Sequence, residues 1–350
     1  SGNCPEWLYA DLGIAGVGGV PSGIYPTDAS AQVEYLLRDS GSSVVFVEDE
    51  EQLDKVLRVR ERLPGLQRIV VFDMEGLAGF EDPMAMSLER FMTLGAEHDR
   101  RHPGLWERRL AEPRAGDLAI LVYTSGTTGP PKGAMLSHRN LIFQCEHGTK
   151  LLPTYPGDER LSFLPLCHIA ERLAGSYFSV FTHTVTNFAE SPETVPENIR
   201  EVQPTTFVAV PRIWEKFYSA VTLAMADATR LERWAYRTAL GIGHRVADRR
   251  LERRPVPLGL RLAHGVADRL VLSNIRKMIG IDRCRWLVTG AAPISPDLIR
   301  WYLALGATML EVYGQTENTA LATWTPPDGI RPGTVGRPVP YGEVAISPLG

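Results

Sequence analysis

Residues 123–133 read Tyr-Thr-Ser-Gly-Thr-Thr-Gly-Pro-Pro-Lys-Gly and form the most informative stretch of the chain. Their hydroxyl groups are short hydrogen-bonding partners for phosphate oxygens, and their glycines let backbone N–H groups come close to a ligand. Lys132 adds a positive charge suited to the β- and γ-phosphates of a nucleotide. The residues predicted to hold a polyphosphate are Thr124, Ser125, Gly126, Thr127, Thr128, Gly129 and Lys132.

Three other interpretations of glycine-rich sequence fit poorly. A Walker A loop ends in Gly-Lys-Ser/Thr, but here Pro131 precedes Lys132 and Gly133 follows it. The loop is predicted to follow a buried strand and to precede a helix, and a flexible linker would rarely place so many hydroxyls around one lysine in such a position. Residues 13–19 are also glycine-rich but do not complete the GxGxxG of a dinucleotide fold, so these glycines indicate close backbone packing.

Working outward from the loop, short β-branched runs alternate with amphipathic helical patterns, which predicts an α/β fold with mostly parallel sheets. Residues 74–116 look irregular, and 212–280 look helical with a break near 255–258. Predicted strands are 44–47, 69–72, 119–123, 161–164, 185–188, 206–210, 286–289 and 309–312. Predicted helices are 28–39 capped by Asp28, 50–63, 137–150 opened by Ser137, 169–180, one from Pro211, and 296–305 capped by Ser295 with Pro296 at N1.

Composition excludes several classes of protein. The chain has 350 residues, 44% of them hydrophobic, and a formal net charge of −4, so a sizeable core is expected and a nucleic-acid partner is not. The four cysteines are scattered without a CxxC pair, which gives no support to a zinc or redox site. No signal peptide and no uncharged apolar run of membrane-spanning length is visible. We therefore expect a cytoplasmic protein, with peripheral membrane contact and homodimerisation left open.

The loop and the segments after it resemble the adenylate-forming (AMP-binding) superfamily of acyl-CoA synthetases, peptide-synthetase adenylation domains and luciferases. The resemblance covers essentially the whole chain and is strongest to long-chain fatty acyl-CoA synthetases. It implies the large N-terminal domain of that fold, with two βα-layered subdomains at 1–116 and 117–325 and the start of a β subdomain at 326–350. By the same comparison, the chain begins inside the fold and lacks the C-terminal lid domain, whose lysine is needed for adenylation. We therefore expect weak or no activity from this piece alone.

Two later segments, 288–293 and 311–317, match the family in order, as does 333–340. The resemblance implies that Tyr313 stacks on adenine, Thr316 bonds the α-phosphate, and Glu317 holds Mg²⁺ together with Thr128. Catalytic roles would fall to Lys132, Thr128 and Glu317. The remaining residues assigned to the nucleotide by resemblance are Gly290, Ala291, Ala292, Glu311 and Gly314.

Segments 164–172 and 210–216 point to the acid substrate. The resemblance implies that His168 lines and gates an acyl pocket without transferring a proton, and that Gly290 and Gly314 also border it. Trp214 fits either an ordinary core position or an aromatic gate to a fatty-acid tunnel. Basic residues outnumber acidic ones between 230 and 285, which suits either solvated helix faces, the interpretation we favour, or contact with anionic lipid or CoA phosphates.

The implied reaction is ATP-dependent activation of a carboxylic acid, most simply a long-chain fatty acid, followed by transfer to CoA. ATP, the acid and CoA would be the small-molecule substrates, with Mg²⁺ on the phosphates. Other carboxylates remain open, as does a non-catalytic nucleotide-binding module. A phosphotransferase would differ by releasing ADP instead of AMP.

Overall fold

The computed structural model describes residues 1–125 and 129–347. It contains two compact units, Ser1–Phe143 with Pro165–Arg172 and Gln144–Leu164 with Leu173–Gly350. Both are built from helices and mostly parallel strands, which confirms the predicted α/β class. The subdomain boundaries proposed from the sequence stay predictions.

The first unit contains a three-stranded parallel sheet and a two-stranded antiparallel hairpin. Buried aliphatic residues such as Leu53 and Ile69 form its core. Its described elements are α1 (Pro5–Gly16), α2 (Ser30–Asp39), β1 (Val44–Val47), α3 (Glu50–Leu57), a 3-10 turn (Arg60–Arg62), β2 (Arg68–Val71), β3 (Ala85–Ser87), α4 (Leu88–Arg101), α5 (Leu105–Ala111), β4 (Leu118–Thr124), β5 (Lys132–Ser137), the start of α6 (His138–Leu151), and α7 (Ile169–Glu171).

The second unit is organised around a five-stranded sheet. Its described elements are β6 (Glu159–Ser162), the π-helical stretch Arg172–Tyr177 that follows α7, α8 (Phe178–Thr182), β7 (Val185–Phe188), α9 (Val195–Val202), β8 (Thr206–Ala209), α10 (Pro211–Asp227), α11 (Arg230–Leu251), α12 (Leu258–Ala267), a π-helical stretch (Asp268–Leu272), α13 (Ser273–Met278), β9 (Trp286–Thr289), α14 (Pro296–Ala304), β10 (Met309–Tyr313), a 3-10 turn (Thr316–Asn318), β11 (Thr323–Trp324) and β12 (Arg337–Pro338).

The strand order of that sheet is β12-β11-β10-β9-β8. Strands β8, β9 and β10 run parallel, and β11 and β12 join them in antiparallel register. A separate parallel pair joins β6 and β7. The core is aromatic at its centre, where Phe207, Trp214 and Tyr302 are fully buried.

Most predicted elements are confirmed within a few residues, including the helical segment after Pro211 and its break before α12. Two expectations were wrong on a larger scale. Residues 74–116 contain β3, α4 and α5; α4 was missed because it buries no residue completely, although Ser87 accepts a hydrogen bond from the Arg90 N–H as its N-cap. The loop at 123–133 leads into β5, not into a helix, because residues 132–137 pair with β4.

One predicted helix cap was wrong, and another is confirmed in its position and in the proline that follows it. Helix α2 begins at Ser30 with Ala29 as N-cap, and the Gln32 side chain accepts a 3.0 Å hydrogen bond from the Ala29 N–H, so Asp28 lies outside the cap. Ser295 occupies the N-cap position of α14, but its side chain makes no capping hydrogen bond. Helix α3 ends at Leu57, short of the predicted residue 63, because the chain tightens into a 3-10 turn.

Candidate active site

The phosphate loop connects the two strands of an antiparallel hairpin. Thr124, the last residue of β4, is the register partner of Lys132, the first of β5, and the Thr124 hydroxyl donates to the Lys132 carbonyl at 3.5 Å. Gly129 has a φ of +92°, which favours glycine. Lys132 and Ser125 are exposed. The hairpin therefore holds the lysine at a fixed point beside the loop, while Gly126, Thr127 and Thr128 lie outside the described residues.

Helix α2 holds both stems of this loop. The Tyr35 hydroxyl donates a 2.9 Å hydrogen bond to the Pro131 carbonyl, and the Tyr123 hydroxyl donates a 2.6 Å bond to the Asp39 carboxylate. Burial and the bond to Asp39 raise the pKa of Tyr123, so this hydroxyl stays protonated and remains a donor at neutral pH. Sequence reasoning missed both contacts, since they join residues far apart in the chain.

A buried arginine supports the same hairpin from another side. Arg172 has no exposed surface, forms an ion pair with Asp11, and lies 5.3 Å from the Trp7 ring centroid. Its guanidinium also donates to the carbonyls of Pro21, at 3.2 Å, and Leu121, at 3.4 Å. Leu121 lies in β4 and Asp11 lies in α1, so this arginine connects the hairpin formed by β4 and β5 to α1. The sequence placed Arg172 in a matching segment but gave no sign of this contact.

His168 is the N-cap of α7. Its Nδ1 accepts a 3.1 Å hydrogen bond from the Ala170 N–H, and burial lowers the pKa of the imidazole. A ring nitrogen that accepts is unprotonated, so the arrangement favours a neutral imidazole with its proton on Nε2. The residue is half-buried. This geometry is compatible with a lining residue and offers no base for proton transfer at Nδ1.

In the second unit, the carboxyl ends of β9 and β10 lie side by side. Thr289, the last residue of β9, is the register partner of Glu311 in the parallel strand β10. The segment that begins at Gly290 therefore leaves the sheet beside Val312 and Tyr313, the last two residues of β10. A Cβ added to Gly290 would lie 2.9 Å from Val312 Cγ2. Ala291 has a φ of +66°, a strained conformation for a non-glycine residue, and Ala291 and Ala292 are exposed. Ligands of parallel α/β sheets bind at this end of the strands.

The turn after β10 is tightly constrained. A Cβ added to Gly314 would lie 1.7 Å from the Ala320 carbonyl oxygen, so no side chain fits there without backbone movement. Thr319 and Ala320 both have positive φ, at 62° and 78°. Strain of this kind concentrates at functional sites. Within the turn, Thr316 is buried, whereas Tyr313 and Glu317 are exposed.

Gln144 of α6 supports this turn and was not predicted from the sequence. Its Nε2 donates to the carbonyls of Asn318 at 3.4 Å and Leu321 at 3.3 Å, and its Oε1 accepts a 2.9 Å bond from the Tyr341 hydroxyl. The side chain is buried. A single amide thus joins α6, the turn and the chain near residue 341.

Glu311 is buried between two other polar side chains. It is the register partner of Thr289, and its carbonyl accepts a 2.9 Å bond from the Thr325 N–H on the other side. Thr289 Oγ1, Glu311 Oε2 and Thr325 Oγ1 have no hydrogen-bond partner among the described residues. Burial raises the pKa of Glu311 to about 7, although the backbone N–H groups of Gly333 and Thr334 lower it by bonding the carboxylate. The carboxyl group therefore holds the 333–334 loop against β10.

Trp214 lies at the centre of the core in this structure. It is fully buried, its indole N–H donates to the Ala209 carbonyl at 3.3 Å, and its ring makes edge contacts with Phe207, Phe217 and Tyr302. These contacts account for a tryptophan here on packing grounds alone. Its predicted role as a gate stays a prediction.

The carboxylate of Glu317 suits a metal ion that takes most of its ligands from the phosphates of a bound nucleotide. Among the described residues no group of three or more His, Cys, Asp or Glu side chains could hold a metal ion. Glu317 offers one exposed carboxylate at the 3-10 turn. Mg²⁺ characteristically binds one or two protein carboxylates and takes its other ligands from phosphate and water. Glu317 is therefore a suitable single protein ligand.

The profile of the AMP-binding enzyme family matches residues 1–347. The chain belongs to the AMP-binding enzyme family. This assignment confirms the resemblance inferred from the phosphate loop and the segment 311–317.

Curated relatives of this AMP-binding protein are long-chain-fatty-acid–CoA ligases. It is 30% identical over 344 residues to ACSBG2 of Xenopus laevis, covering 96% of this chain and 45% of the relative. It is 32% identical over 347 residues to FadD15 of Mycobacterium bovis, covering 99% and 55%. The chain thus spans about half the length of these relatives.

Solved structures support the fold. The anthranilate CoA ligase AuaEII, in complex with anthranoyl-AMP, superposes with a TM-score of 0.64 at 20% identity, covering 97% of this chain and 53% of that one. The N-terminal domain of FACL13 from Mycobacterium tuberculosis superposes with a TM-score of 0.61 at 19% identity, covering 97% and 68%. The predicted fold, the large N-terminal domain of the acyl-CoA synthetase type, is confirmed.

Proposed function

We propose that this protein activates a fatty acid, long-chain in type as in its curated relatives, by forming an acyl-adenylate from ATP and passing the acyl group to CoA. Family membership supports the adenylate-forming class, and the names of the relatives support the fatty-acid substrate. The single observation that carries the proposal on geometry is the in-register carboxyl end of β9 and β10. There Gly290 packs closely against Val312, and Gly314 packs against the Ala320 carbonyl, so the backbone is fixed at the end of the sheet where ligands of parallel sheets bind.

The phosphate hairpin is assigned to the triphosphate. Lys132 supplies a positive charge at the start of β5, and Thr124, Ser125 and Gly129 line the described part of the loop. The rest of the predicted phosphate-binding set is Gly126, Thr127 and Thr128. Bound Mg²⁺ would neutralise charge on the phosphates, with Glu317 and Thr128 as the protein ligands.

The turn after β10 and the segment after β9 are assigned to the adenosine and the α-phosphate. Tyr313 presents an exposed ring for stacking, and Thr316 is held in the turn that Gln144 supports. Ala291 and Ala292 present backbone to the same ligand. Glu311 and Gly314 act through the shape of this turn, one by bonding the 333–334 loop and the other by its missing side chain.

Contact with the acid is assigned to His168, Gly290 and Gly314, as the family resemblance implies. A neutral His168 with its proton on Nε2 can donate a hydrogen bond to a carboxylate without contributing a charge. Trp214 is proposed to affect chain-length preference from the core, through the aromatic residues it contacts.

The chemistry proceeds in two balanced steps. A carboxylate oxygen of the acid bonds to the α-phosphorus of ATP as the bond to pyrophosphate breaks, giving acyl-AMP and pyrophosphate. The CoA sulfur then bonds to the acyl carbon, AMP leaves, and the thiol proton goes to solvent. Because a carboxylate is already ionised at neutral pH, the first step needs positioning and charge neutralisation more than proton transfer.

The test is product identification after incubation with ATP, Mg²⁺, CoA and one acid from a panel of acetate, octanoate, palmitate, benzoate and amino acids. The proposal expects AMP, pyrophosphate and palmitoyl-CoA, with palmitate preferred to acetate. AMP formed only with another acid would keep the reaction and reject the fatty-acid substrate. ADP would identify a phosphotransferase, and nucleotide binding without turnover would favour the non-catalytic alternative.

A further inference from the structure

An apolar stripe runs along the outer face of α12 and continues into the π-helical stretch after it. Leu258, Leu262, Val266 and Leu270 follow one another at intervals of four residues, and their exposed fractions are 70%, 65%, 60% and 65%. Side chains at this spacing lie on one face of a helix. Four large aliphatic side chains in one row therefore face away from the protein.

The opposite face of the same segment already packs on the protein. Ala267 and Leu272 are buried in the core cluster, and α12 packs against α11. The fold therefore does not need the outward stripe for its own core. No helix among the described residues is long and apolar enough to cross a membrane.

Charge next to the stripe is positive. Arg261 and Arg269 are exposed and follow Leu258 and Val266 by three residues, which places them beside the stripe. Asp268, the acidic residue of this segment, is paired with Arg276 at 2.6 Å. The exposed face thus combines aliphatic side chains with arginines whose charge no neighbouring carboxylate of the segment neutralises.

We propose that this surface, made by Leu258, Leu262, Val266 and Leu270 with Arg261 and Arg269, binds a membrane surface that contains anionic lipids. An amphipathic helix of this kind lies in the interface, with its apolar row among the acyl chains and its basic residues at the headgroups. A second copy of this chain fits less well. A twofold pairing would set the same surface against itself and bring Arg261 and Arg269 close to like charges.

The test is co-sedimentation of the purified protein with vesicles of phosphatidylcholine alone and of phosphatidylcholine with phosphatidylglycerol. The wild type is expected to bind the anionic vesicles at low salt. The double variant L262E/V266E should lose this binding, and R261Q/R269Q should weaken it by about tenfold or more on anionic vesicles. L223E is the matched control, since Leu223 is 68% exposed on α10, outside the stripe.

Circular dichroism melting keeps folding separate from binding, and light scattering reports the oligomeric state. The proposal is overturned if the wild type does not bind anionic vesicles, or if L262E/V266E binds as well as L223E. It is also overturned if the wild type is a dimer that L262E/V266E dissociates while vesicle binding is unchanged, because the stripe would then join two copies. None of these outcomes depends on catalytic activity, so the result is independent of the proposed reaction.

Discussion

The Tyr35 hydroxyl donates a 2.9 Å hydrogen bond to the Pro131 carbonyl, one residue before Lys132. On the other stem of the same loop, the hydroxyl of Tyr123, the residue before Thr124, donates a 2.6 Å hydrogen bond to the Asp39 carboxylate. Tyr35 and Asp39 both belong to α2. One helix therefore fixes the two ends of the phosphate loop, and the position of Lys132 depends on residues that the family pattern of the loop does not include.

Removing the α2 contacts should impair nucleotide use more than stability. Y35F and Y123F each delete one hydrogen bond, which typically contributes about 0.5–1.5 kcal/mol, so kcat/KM for ATP should fall by roughly 2- to 12-fold. Y9F is the control, because Tyr9 is exposed on α1. Steady-state kinetics with ATP varied checks this. An unchanged kcat/KM together with a lowered melting temperature would mean that the contacts serve only the fold.

Lys132 should matter for chemistry and not for folding, because its side chain is exposed and its ammonium makes no ion pair with a described residue. K132M should lower kcat by about 10²- to 10³-fold, the usual effect of removing one group that stabilises transition-state charge. K277M, at an exposed position on α13, is the charge-matched control. A K132M enzyme with activity equal to that of K277M would remove the lysine from the mechanism.

A methyl group at Gly314 should disrupt the turn after β10. The added Cβ would lie 1.7 Å from the Ala320 carbonyl oxygen, so G314A must move backbone and should cost at least about 2 kcal/mol of unfolding free energy. G241A is the control. No atom lies within 4 Å of a Cβ added to this exposed glycine of α11, and alanine there should stabilise the helix by up to about 1 kcal/mol. Urea unfolding of both variants measures the contrast, and equal stabilities would contradict the geometry.

Glu311 should make stability fall as pH rises. Its pKa is raised by burial from 4.5 to about 7, so the folded protein holds this proton over a range in which the unfolded chain has lost it. The free energy of unfolding therefore declines between those two values, and the destabilisation is complete above the higher one. E311Q removes the titration and should be more stable than the wild type at mildly alkaline pH, by on the order of 1–3 kcal/mol.

The measurement is chemical unfolding of wild type and E311Q at several pH values across that window. The difference between the two proteins isolates Glu311 from other groups that titrate in the same range. Parallel stability–pH curves would show that the carboxyl group has an ordinary pKa. A wild type more stable than E311Q at every pH would show that the bonds to the 333–334 loop outweigh burial.

Local sequence patterns predicted the helices and strands that are determined by their own composition, but not those determined by contacts with distant residues. The buried runs of β1 and β9, and the break before α12, follow from β-branched residues and proline, and they appear where expected. Strand β5 was missed because its pairing with β4, and not its own composition, makes it a strand. The α2 contacts span 84 and 96 residues, so no local pattern could indicate them.

The site residues show the same division. The residue types within the loop at 123–133 and the segment 311–317 indicate their chemistry without a structure, so Lys132, Tyr313 and Glu317 could be named from the sequence. Gln144 is an ordinary glutamine of an amphipathic helix until the fold places it beside the 316–321 turn. Trp214 suited both the core and a gate on sequence alone, and only packing shows its complete burial.

The most direct test of the central claim is ATP–pyrophosphate exchange, which isolates formation of the acyl-adenylate from transfer to CoA. Labelled pyrophosphate should enter ATP in the presence of palmitate and Mg²⁺, with little incorporation without an acid and at least about tenfold less in K132M. The assay uses the full-length protein, and absence of exchange with every acid tested, in a protein that binds ATP, would contradict the account.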